Sequence, residues 1–155
     1  MITPEDYFAA YADHEDITDK VRDAAAGLLA KVNEVYALAA ADGCEMQVNP
    51  STNTEVSGTG NGGFRPRDCK VGASDSTHKD GRGVDKYDPD RKFASWCLAH
   101  LRVLKERNLH MENPCWTPTW VHLQDAAPRR SGNTVYVPSA APALARLPTE
   151  WNALA

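Results

Sequence analysis

His78 and Asp85 stand seven positions apart in the stretch STHKDGRGVD, with Gly81 and Gly83 between them. An imidazole and a carboxylate are two of the ligand types that zinc takes from proteins. A zinc site that activates water needs three protein ligands and one open position, so a third donor must come from elsewhere in the chain. His122, in TWVHLQ, is the candidate. On a strand its side chain points to a fixed side, which Trp120 and Gln124 share. The pattern predicts one zinc ion held by a nitrogen of His78, Nδ1 or Nε2, an oxygen of Asp85 and a nitrogen of His122, with water in the remaining place. His14, His100 and His110 read as side chains that are solvated or satisfied locally.

Elements must bring these residues together. Over residues 18–42 the apolar positions Val21, Ala25, Leu28, Val32, Val35 and Ala39 recur at three- and four-residue steps, which predicts one buried helix face, and Gly43 ends the helix. Residues 45–48 and 54–57 favour short strands or a hairpin that leads into a glycine-rich loop, and this loop runs into STHKDGRGVD. A second helix is expected over residues 89–107, with Phe93, Trp96, Cys97, Leu101 and Leu104 along one side and Pro89 in its first turn. LHMEN and TWVHLQ flank PCWTP as a β-hairpin with Pro114 and Pro118 in or beside the turn. One more strand is expected over residues 134–137, followed by a loose Ala/Pro-rich arm from about residue 139.

Composition narrows the classes. The 155 residues suit a single domain over 1–155. A formal charge of −4 without a basic block gives no reason to expect nucleic acid as a partner. The N-terminus is acidic and lacks a long apolar run, so it does not read as a secretory signal, and no segment is expected to span a membrane. Synthesis in the cytoplasm and action as a monomer are the expectations. Cys44, Cys69, Cys97 and Cys115 form no CxxC pair, which argues against a zinc ribbon and fits reduced thiols.

Taken together, Ser76-x-His78-x-x-Gly81-x-x-x-Asp85 and the later Trp120-x-His122 resemble the M15 peptidases, the zinc D-Ala-D-Ala carboxypeptidase and phage endolysin group. The order of motifs resembles that family as well: a helix, GGFRP with Arg65, STHKDGRGVD, a helix, then TWVHLQ. The likeness covers roughly residues 17–136. It implies an α+β fold of the hedgehog/DD-peptidase kind, an antiparallel sheet with two long helices on one face and a zinc site on the other. It also implies His78, Asp85 and His122 as zinc ligands, and Arg65 as the cation that holds a substrate carboxylate or carbonyl. Ser76 would fix the His78 loop by hydrogen bonding, with Trp120 and Gln124 supporting the ligands from behind. Gly81 and Gly83 would let the chain turn back so that Asp85 reaches the metal.

The sequence departs from the family near the third ligand. Such peptidases carry an acidic base close to it, whereas Thr119 stands three positions before His122 and Gln124 two after, and neither can take a proton. Asp125 should point away from His122. Glu112 is the expected base, because antiparallel pairing of LHMEN with TWVHL brings it beside His122. The leading expectation is a zinc metallopeptidase that hydrolyses peptidoglycan stem peptides, as carboxypeptidase or endopeptidase, of phage or prophage origin, acting on the cell wall after release or as a virion component. The alternative is a catalytically inactive, zinc-containing binding or structural module.

Overall fold

The computed structural model of the chain describes residues 1–128 and 133–137. The expected C-terminal arm lies outside the described residues. Helix α1 (Pro4–Phe8) starts on a reciprocal cap, in which the Thr3 hydroxyl accepts from the Asp6 amide and the Asp6 carboxylate accepts from the Thr3 amide. Helix α2 (Asp19–Ala41) begins on the Thr18 hydroxyl and ends at Asp42 with Gly43 at φ 82°, the left-handed conformation that glycine adopts at no steric cost. All six residues of the expected stripe are buried, and Leu29 and Tyr36 join them. By length and composition alone α2 is long and apolar enough to cross a membrane, a test that the core helix of a globular domain also passes. Its buried face is part of the hydrophobic core.

The expected second long helix is two short ones, α3 (Lys92–Ala99) and α4 (Leu101–Glu106). His100 breaks the run at φ −125°, ψ 40°, where its Nδ1 donates to the Trp96 carbonyl and its ring stacks on Trp96 at 4.2 Å. A side chain that takes a helix carbonyl competes with the backbone amide that would otherwise use it. Pro89 lies before the helix. The first free amides of α3, those of Phe93 and Ala94, are satisfied by the buried carboxylate of Asp88.

Strands β1 (Gly83–Tyr87), β2 (His110–Glu112), β3 (Trp120–Gln124) and β4 (Val135–Tyr136) form one sheet in the order β1-β3-β2-β4. β2 and β3 are the hairpin expected around PCWTP, and β1 pairs antiparallel with the other side of β3. Glycine and aspartate concealed β1 in the sequence, which reads there as loop. β4 runs parallel to β2, so the sheet is mixed and not wholly antiparallel as expected. The reason is which edges are free. A strand following β3 and running back against it finds both edges of β3 taken, and the free edge of β2 also runs opposite to β3, so the new pair is parallel. Residues 45–48 form no strand, and residues 54–57 make only isolated bridges, Thr54 with Asn49 and Val56 with Lys86. Backbone bonds from residues 55–62 to Asp85 and Tyr87 cover the outer edge of β1, which leaves it no open ladder.

Alternation along the strands separates two faces. Val84, Lys86, Met111, Val121, Leu123 and Val135 are buried on one face, where Tyr36 of α2 lies against the Lys86 ammonium at 5.9 Å and meets Phe93 of α3 edge to face. Gly83, Asp85, His110, Glu112, His122 and Gln124 share the other. α2 and α3 therefore pack on the face opposite Asp85, His110, Glu112, His122 and Gln124.

Candidate metal centre

The β1–β3 register places Asp85 directly across from His122. His78 arrives from outside the sheet, on the 3₁₀ turn Thr77–Asp80. Gly81 closes that turn in the left-handed region at φ 74° and lies so close to α2 that a Cβ there would sit 2.5 Å from the Val21 carbonyl oxygen. Gly83 does a different job from the one expected, since it makes no left-handed turn. A Cβ on it would meet Thr77 Oγ1 at 2.4 Å and His122 Cε1 at 3.1 Å, so its lack of a side chain is what lets the turn rest on the sheet.

Three donor atoms converge. His122 Nδ1 lies 2.7 Å from Asp85 Oδ1, His78 Nε2 lies 3.2 Å from His122 Nδ1 and 3.3 Å from Asp85 Oδ1, and all three residues are buried. A tetrahedral zinc ion with arms of about 2.1 Å separates its ligand atoms by about 3.4 Å, so two of the three edges already match and the third closes to a hydrogen bond. For His78 the choice between nitrogens is decided: Nδ1 donates to the Gly63 carbonyl at 2.6 Å, which turns the Nε2 lone pair toward the cluster.

The electrostatics follow from burial and proximity. Burial opposes ionisation of Asp85, but the two imidazoles outweigh it and hold the carboxyl far below the usual carboxylate range. Burial lowers the pKa of His78. It also opposes the charged form of His122, yet the hydrogen bond and charge of Asp85 prevail and raise its pKa. A carboxylate oxygen and two imidazole nitrogens packed this closely could hold a metal ion.

Arg65 is buried, and its Nη2 donates to Asp85 Oδ2 at 2.6 Å while Nε bonds the Asn61 carbonyl. The guanidinium expected to hold substrate is engaged by Asp85, through the carboxylate oxygen that faces away from the imidazoles. Its Nη1 lies against Gly72, where a Cβ would come within 2.7 Å. Ser76 departs from expectation. Its side chain makes no cap bond to the His78 turn, and the turn is secured by the Gly63 carbonyl and by Thr77, whose hydroxyl lies 3.3 Å from Gln124 Oε1. Gln124 does support the site, with Oε1 3.1 Å from His122 Nε2. Trp120 pairs with Tyr87, and no hydrogen bond or ring contact ties it to the cluster among the described residues.

Glu112 ends β2. Continuing the pairs His110–Gln124 and Met111–Leu123 by one residue sets it opposite His122, as the hairpin implied. It is half-buried. Burial raises its pKa, with His122 pulling it down and Asp85 pushing it up. Thr119 is exposed, and Asp125 is taken by Arg82 at 2.8 Å and Lys31 at 3.0 Å. Tyr136 was missed by the sequence reading. Its hydroxyl donates to Gln124 Oε1 at 2.8 Å and its ring stands edge-on to His122 at 6.5 Å. Only the pairing of β4 with β2 could have placed it there. Comparison with protein-family models, curated proteins and solved structures finds no match to this chain.

Proposed function

We propose that this chain is a zinc peptidase that hydrolyses peptidoglycan stem peptides. The observation that carries the metal is the convergence of His78 Nε2, Asp85 Oδ1 and His122 Nδ1 on one point of a buried sheet face. The substrate class rests on the resemblance of the ordered motifs to the M15 peptidases. His78, Asp85 and His122 would hold the ion, which lowers the pKa of a coordinated water and polarises a carbonyl oxygen.

The chain's own residues then have distinct tasks. Glu112 stands across from His122 with a raised pKa, and its carboxylate takes the proton of the attacking water and delivers it to the leaving amine. Arg65 keeps one oxygen of Asp85 occupied, so the other alone faces the two imidazoles. A substrate carboxylate would find Nη1 of the same guanidinium as its partner. The buried walls exclude bulk water and strengthen each of these charge interactions.

The test combines zinc content by elemental analysis with digestion of purified peptidoglycan and mass analysis of the products. One zinc per chain and new peptide termini are expected. Zinc without cleavage favours the inactive binding module, a reading that the exposed Thr119 near the third ligand supports. Absence of zinc removes both readings.

A further inference from the structure

Gln124 is oriented by a group that can only accept. Its Nε2 donates to the Ala126 carbonyl at 2.6 Å, so its Oε1 faces the other way, toward His122 Nε2 at 3.1 Å, the Tyr136 hydroxyl at 2.8 Å and the Thr77 hydroxyl at 3.3 Å. An amide oxygen accepts and never donates. The imidazole nitrogen that faces it must therefore carry a hydrogen. Nδ1, which donates to Asp85 Oδ1 at 2.7 Å, is then the nitrogen that can give up its hydrogen to an ion held with Asp85 and His78. With the amide reversed, its NH₂ would meet Nε2 and two hydroxyls while its oxygen faced a carbonyl. The Ala126 carbonyl forbids that arrangement.

We propose that Gln124, steadied by Tyr136 and Thr77, keeps a hydrogen on Nε2 of His122, so that Nδ1 is the nitrogen that exchanges its hydrogen for the metal ion; Gln124 and Tyr136 are positioning residues of the centre. The inference rests on the metal reading above. It also accounts for β4. This two-residue strand joins the sheet beside β2 and brings the Tyr136 hydroxyl to Gln124, while Thr77 ties the same oxygen to the turn that carries His78. One amide oxygen thus links the segments bearing two of the three ligands. His78 has its counterpart in the Gly63 carbonyl, so each imidazole has the hydrogen of its far nitrogen held by an acceptor.

Two readouts on the full-length chain test this: the tautomer of His122 from two-bond ¹⁵N–¹H correlation spectra, as purified and after loading with zinc, and zinc affinity by competition with a chromogenic chelator. Wild-type His122 should carry a hydrogen on Nε2 in both states, and with zinc bound on Nε2 alone. Gln124→Leu should lose that preference and weaken zinc binding by about 10- to 100-fold. Tyr136→Phe, which removes only a hydroxyl, should move both readouts in the same direction and less far. Gln124→Glu retains an acceptor and should keep the hydrogen on Nε2; its loss there would overturn the proposal. A wild-type His122 whose Nε2 carries no hydrogen overturns the proposal, as do unchanged Nε2 protonation and zinc affinity in both Gln124→Leu and Tyr136→Phe. A wild-type chain that takes up no zinc overturns the metal reading itself. The tautomer readout then still decides the positioning claim, since its loss in Gln124→Leu supports the claim and its persistence overturns it.

Discussion

The two faces of the four-stranded sheet use alternate residues of the same strands and are held together in opposite ways. On one face Val84, Met111, Val121, Leu123 and Val135 are buried against the helices, and any apolar side chain of similar volume could serve there. The Lys86 ammonium, also buried there, is tolerated because it bonds the carbonyls of Gln47 at 2.7 Å and Tyr87 at 2.9 Å. On the other face nearly every buried polar atom has a named partner: Asp85 has Arg65 and His122, His78 has Gly63, and Gln124 has three donors and one acceptor. Apolar packing is non-directional and degrades gradually. A converging polar site depends on each bond and fails at one atom.

The largest effect that would sharpen this contrast is loss of metal. His78→Ala should remove zinc from the chain, and elemental analysis showing full zinc stoichiometry in that variant would break the ligand set. On the opposite face, Leu123→Ala should lower stability by about 2–5 kcal/mol by urea denaturation while leaving one zinc per folded chain. If it released zinc without a loss of stability, the separation of the faces would be wrong.

Glu112→Gln should keep fold and zinc and lower turnover on the order of a hundredfold or more, as removal of a general base does. Full wall-degrading activity in that variant would place the base elsewhere. Smaller still is Asp125→Asn. Because Asp125 is engaged by Arg82 and Lys31, this change should cost about 1–3 kcal/mol of stability with turnover per folded enzyme unchanged. A fall in turnover without a fall in stability would bring Asp125 into the chemistry.

Local pattern by itself determined a good part of this protein. The three- and four-residue spacing in residues 21–39 specified the buried face of α2, Gly43 specified its end, and the residues around PCWTP specified a hairpin whose antiparallel pairing put Glu112 opposite His122. These features depend on residues close in sequence, or on one short turn, so periodicity and turn chemistry suffice to read them. The three donors were also legible as residue types, because His and Asp at these positions suit zinc wherever the chain carries them.

Tertiary structure decided the rest. β1 was hidden because Gly81, Gly83 and Asp85 carry turn-like propensities, and a strand emerges there only because β3 offers an edge. The parallel β4 followed from which edge was still free, and its arrival set the place of Tyr136. Arg65 was identified as a cation of the site, but its partner proved to be Asp85, twenty residues away. Which nitrogen of His78 faces the cluster depended on the Gly63 carbonyl, fifteen residues earlier. Each of these outcomes depends on geometry between distant segments, where a hydrogen bond gained or lost within a few tenths of an ångström decides orientation, and residue type alone carries no such information.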